Sequence, residues 1–134
     1  MNRSSKYVTA IVVAHLLVNI AHGFSHRRLG VGLAPLGSIF VIVVVLVLPL
    51  IATGLVWASS VRFGLGLLFL SMFGSLLFGL YHHFLVMGPD QVRSQTSNSW
   101  GIAFVLTAYG LLITEAMGTY VSIHFLWIAK ETLN

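Results

Sequence analysis

What most constrains this chain is the spacing of its charges. No Asp, Glu, Lys or Arg falls between residues 7 and 26, 29 and 61, 63 and 89, or 94 and 114. A helix that crosses a bilayer needs about 20 mostly apolar residues, and each interval supplies that length. Hydrocarbon offers no partner to a backbone N–H or C=O, so a crossing segment closes its hydrogen bonds within itself. The expectation is an all-α, integral membrane four-helix bundle with up-down-up-down order, a single domain over residues 1–134. Its spans are expected at about 7–26, 36–58, 63–87 and 100–127. A content of 57% hydrophobic and 7% charged residues agrees, because a water-soluble core of this size needs more polar surface.

The same pattern excludes several functions. With no cysteine there is no disulfide, no thiolate ligand and no CxxC redox pair, so a bound metal must be held by nitrogen and oxygen. The net charge of +4 comes from seven basic residues placed at span ends, where they mark membrane interfaces; no nucleic-acid partner is expected. Arg3, Lys6, Arg62 and Lys130 gather on one side, against Arg27, Arg28 and Arg93 on the other, which predicts cytoplasmic N- and C-termini. The basic head before Tyr7 looks like the start of a secretory signal, but His15 and Asn19 interrupt the apolar run and no A-x-A-like site follows. The segment is therefore read as the first span. Trp57, Trp100 and Trp127 read as interfacial anchors.

Packing signals lie in the third and fourth spans. Ser71, Ser75 and Gly79, and then Gly110, Thr114, Gly118 and Ser122, recur every fourth residue and let helices approach closely. The second span is Val, Ile and Leu almost throughout, interrupted by Pro49, and reads as a kinked wall facing lipid. Besides the lipid bilayer, the expected partners are a second copy in a homo-oligomer or a larger membrane complex, neither of which the pattern selects.

The chemistry is concentrated in histidines. At about 100° per residue, His15, Asn19, His22 and His26 fall within roughly 60° of one another on the first span. Spans one and three run in the same direction, so His22 and His26 are expected to meet His82 and His83 at one level, flanked by Asp90 and the two arginines. Glu115 is the only acid inside a span. An unpaired carboxylate in lipid is costly, so it needs a partner, and His15 is the expected one. His15, Asn19 and Glu115 then form a deeper layer suited to a proton relay. His124 belongs to the opposite end.

Imidazole with carboxylate suits iron, copper or zinc. The metal-ligand candidates are His22, His26, His82 and His83, with Glu115 or Asp90 as oxygen ligand. The HxxxH pair His22/His26 and the His82-His83 doublet resemble fragments of the histidine boxes of membrane fatty-acid desaturases and hydroxylases. That resemblance covers only these short motifs, and it implies iron. A competing cofactor is haem b, held by His22 with His82 or His83, with Gly23, Ser75 and Gly79 leaving room and Arg27, Arg28 and Arg93 meeting the propionates. A third class is a proton- or ion-translocating or structural subunit in which His15 and Glu115 titrate. The preferred expectation is a membrane metal-binding protein, a small oxidoreductase if it is an enzyme.

Overall fold

The computed structural model describes residues 3–95 and 97–131. Among them there is no strand, and four long helices follow one another: α1 (Arg3–Leu29), α2 (Pro35–Trp57), α3 (Val61–Leu85) and α4 (Ser99–Glu131). Each is long and apolar enough to cross a membrane, with mean hydropathy from 1.5 in α4 to 3.1 in α2.

The helix ends have local causes. Gly30 at φ 67° turns the chain out of α1, and the Val31 N–H then bonds the His26 carbonyl at 3.1 Å, the closing bond of a Schellman motif. Ser59, at φ 69°, does the same after α2, where the Ser60 N–H reaches the Leu55 carbonyl at 3.0 Å. α3 stops two residues short of the expected 87. Val86 is already extended, and Pro89 disfavours a helical Gly88.

Two of the helices contain a turn wider than α. Val41–Val47 in α2 and Tyr81–Leu85 in α3 are π-helical. The first lies just ahead of Pro49, which has no N–H to give to the carbonyl of Val45. That carbonyl has instead the His15 ring, with Nε2 at 3.2 Å.

α4 lies between α1 and α3, and α2 packs on α3. The Leu48–Trp57 half of α2 also closes onto α1, where Trp57 Nε1 donates to Thr9 Oγ1 at 2.9 Å; its first half barely approaches α1. An apolar core of Val8, Val12, Ala52, Leu65, Leu68 and Met72 fills the closed end. The small-residue stripes do pack. A Cβ on Gly118 would stand 2.8 Å from Met72 Cγ and one on Gly110 3.1 Å from Val18 Cγ1; outside the stripes, one on Gly64 would stand 2.8 Å from the Ala52 carbonyl oxygen. Ser71, Ser75 and Ser122 are buried, each hydroxyl donating to a carbonyl of its own helix. Outward faces carry large apolar side chains such as Phe63, Leu70 and Leu106.

Candidate metal centre

The open end of the bundle, where α2 stands off α1, holds the imidazoles. An unbroken α-helix puts His15, His22 and His26 on one inward face, at spacings of seven and four residues. The facing helix α4 presents Thr107 and Thr114, also seven apart, so that His22 meets Thr107 and His15 meets Thr114. In the π turn at the end of α3 the two rings of the histidine doublet point different ways. His83 turns inward and is 6% exposed, whereas His82 lies against Phe78 and Tyr81, ring centroids 4.3 and 5.2 Å away.

Three Nε2 atoms converge. That of His22 is 3.1 Å from His26 Nε2 and 3.2 Å from His83 Nε2, and one nitrogen from each ring lies within 4.8 Å of the others. The Nδ1 atoms decide the tautomers. His26 Nδ1 is 3.1 Å from the Val31 carbonyl and His83 Nδ1 is 3.0 Å from the Asp90 carbonyl; a carbonyl only accepts, so both nitrogens carry the proton. The Thr107 hydroxyl donates to the Ala103 carbonyl at 2.7 Å, so its oxygen accepts from His22 Nδ1 at 2.8 Å. With the proton on Nδ1, each of the three rings turns its Nε2 toward one point. All three rings lie against Phe104, tilted or edge-on, with ring centroids 4.7, 4.9 and 5.5 Å away.

Asp90 closes the edge of this cluster. After α3 the chain folds back through Gly88 and Pro89, which brings Asp90 Oδ1 to 3.2 Å from His26 Nε2 and 3.4 Å from His83 Nδ1. Each contact becomes an ion pair when its ring is protonated. Both carboxylate oxygens lie buried without a hydrogen-bond partner among the described residues, although the His83 N–H that bonds the Asp90 carbonyl stays 3.4 Å from Oδ1. Burial works against ionisation of Asp90, but the adjacent His83 N–H and the charges of His83, His26 and His22 when protonated outweigh it and hold the carboxyl below its ordinary value.

The deeper layer differs from expectation. The anticipated pair of His15 with Glu115 does not form. Thr114 and Glu115 are consecutive, about 100° apart on α4, so the hydroxyl faces α1 and the carboxylate faces α3. His15 has Thr114 Oγ1 at 3.3 Å, the Val45 carbonyl and the Asn19 amide nitrogen at 3.0 Å. Glu115, 2% exposed, points toward Gly79, and its Oε2 has no hydrogen-bond partner among the described residues. His124 stacks on Tyr120 at the other end. Arg28 lies over Phe24 and Trp100, 5.1 and 5.3 Å from the ring centroids, while Arg27 and Arg93 are exposed.

Sequence reasoning thus named His22, His26, His83 and Asp90, which come together, and His82, which does not join them. It passed over Thr107, Phe104 and the Val31 carbonyl. Thr107 had a signal: it stands seven residues before Thr114, the same interval as His15 to His22. No family, curated protein or solved structure matches this chain, so the desaturase likeness stays confined to its two short motifs.

Proposed function

We propose that the chain is an integral membrane protein of one domain that crosses the bilayer four times in alternating direction, with cytoplasmic termini, and binds a transition-metal ion through Nε2 of His22, His26 and His83. The pairings of residues 15 and 22 with 114 and 107, and of residues 9 and 15 with 57 and 45, support antiparallel neighbours. The apolar outward faces support burial in lipid.

One observation carries the metal reading: three imidazole Nε2 atoms converge, 3.1 and 3.2 Å apart where pairs are measured. Lone pairs so arranged repel unless a proton or a metal ion stands between them, and three rings meeting at one point suit the ion. An ion about 2.0–2.1 Å from each nitrogen in tetrahedral geometry would space them about 3.3–3.4 Å apart. Each ring also donates its other N–H to a fixed oxygen, the outer-shell arrangement that orients metal-binding histidines. Asp90 Oδ1 stands at the edge as an oxygen ligand. Haem b is less well supported, because its iron needs two imidazoles on opposite faces of a flat macrocycle, and here a third imidazole and Asp90 occupy the space around them. An ion held by the three nitrogens would supply Lewis-acid chemistry, with Asp90 or a water as its oxygen ligand. Zinc, copper and iron share this donor set.

The test is elemental analysis and Co²⁺ titration of protein purified in detergent without chelators. The expected result is about one equivalent of transition metal and the visible bands of Co²⁺ in a low-symmetry site, both abolished in His22→Ala and His83→Ala. Protein that carries no metal and takes up neither Co²⁺ nor Zn²⁺ overturns the reading.

A further inference from the structure

The three imidazoles sit at one end of a cavity of about 470 Å³, a volume typical of small-molecule sites. Its walls are mostly apolar, with Leu16 and Ile20 from α1, Val41 and Ile42 from α2, Phe78 from α3 and Leu111 from α4. The space exists because α2 closes onto α1 only in its second half, beyond the π segment and Pro49. Ile20 and Ile42, 61% and 56% exposed, stand on the outer side of the gap. In the proposed topology this gap opens to acyl chains rather than to water.

The cavity also holds a polar group with nothing to bind. Glu115 lines it and is 2% exposed, with Oε2 unpartnered among the described residues. Opposite lies Gly79. A Cβ there would stand 3.5 Å from Glu115 Oε2 and 4.0 Å from His83 Cδ2, so the missing side chain leaves a space bounded by the carboxylate and the imidazole cluster. A bare buried oxygen costs free energy that a donor recovers. A hydroxyl supplies that donor without carrying charge into the bundle, as an ammonium would, and its oxygen also accepts from a protonated carboxyl.

We propose that this cavity binds a lipid-soluble long-chain alcohol, its hydroxyl donating to Glu115 Oε2 and its chain leaving between α1 and α2. The proposal rests on the membrane reading and not on the metal; if both hold, the head group lies beside the metal centre.

The test uses full-length protein in lipid nanodiscs with a diazirine-bearing hexadecanol, its methyl ether as control, and mass-spectrometric mapping. Labelling is expected on Leu16, Ile20, Val41 and Ile42, saturable by unlabelled hexadecanol and weaker with the ether. Glu115→Leu should lower it roughly fivefold to tenfold, the effect of one lost buried hydrogen bond, while Glu115→Gln, whose amide oxygen still accepts, should keep most of it. Ile42→Trp, at an exposed position away from the imidazoles, should narrow the opening and lower labelling with Co²⁺ uptake unchanged. Labelling that is equal in wild type and Glu115→Leu, or spread over outward residues such as Leu70 and Leu106, overturns the proposal. Labelling as expected in protein that takes up no Co²⁺ overturns only the metal reading.

Discussion

At the scale of single residues, each converging Nε2 depends on the hydrogen bond behind its ring. His22 offers Nε2 because Thr107 accepts from its Nδ1, and Thr107 accepts because its own hydroxyl hydrogen is held by the Ala103 carbonyl. Thr107→Val keeps the shape and removes the acceptor, so Co²⁺ affinity is expected to fall by about 10- to 100-fold, measured by competition with a chelator of known affinity. His82→Ala, at the ring that lies against Phe78, is expected to leave that affinity unchanged. Asp90 gives the metal-free protein an acid limb. Its carboxyl lies below the ordinary value in the folded state, so its stabilisation is fully present above the unfolded value and is lost as pH falls through the folded one. Thermal unfolding of metal-free protein in detergent should show that loss in wild type and a flatter acid limb in Asp90→Asn. The i, i+4 pair His22 and His26 was legible from spacing alone. The doublet was not, because a 100° step places both rings ambiguously until the local helix type is known.

At the scale of elements, close approach decides what glycine does. Gly64 and Gly66 are two residues apart on α3 and differ completely. A Cβ on Gly64 meets backbone of α2, the Ala52 oxygen at 2.8 Å and the Val56 nitrogen at 2.9 Å, whereas one on Gly66 meets nothing within 4 Å. Gly64→Ala is expected to force α2 and α3 apart and cost about 1–3 kcal/mol. Gly66→Ala should be neutral or stabilise by up to about 1 kcal/mol through helix propensity. Unfolding of the two variants side by side in one detergent checks both values. The four-residue stripes predicted close contact and α4 delivers it, with Gly110 against Val18 and Gly118 against Met72. The π segments carry no comparable mark. Pro49 signals only that the Val45 carbonyl lacks its α-helical donor, not that His15 takes the place.

At the scale of the whole molecule, the bundle is closed by apolar packing at one end and opened at the other around polar groups. The proposed alternating path predicts that the end of α1 bearing Arg3 and the connection before α4 lie on opposite sides of the membrane. The sequence contains no cysteine, so single cysteines report cleanly. Arg3→Cys in intact cells is expected to resist a membrane-impermeant maleimide until the cells are opened, and Ser97→Cys to react at once; labelling of both from the same side would end the alternating topology.

The sequence alone determined that this chain makes four helices long and apolar enough to cross a membrane, because runs without charge leave the backbone to satisfy its own hydrogen bonds. It also determined which face of α1 carries the imidazoles, since periodicity holds along one regular helix. Only the tertiary structure decided that His83 rather than His82 joins them, that Glu115 faces Gly79 rather than His15, and that a cavity lies beside the cluster. Those outcomes depend on the rotation of each helix against its neighbours and on two π turns, and spacing within a single segment specifies neither.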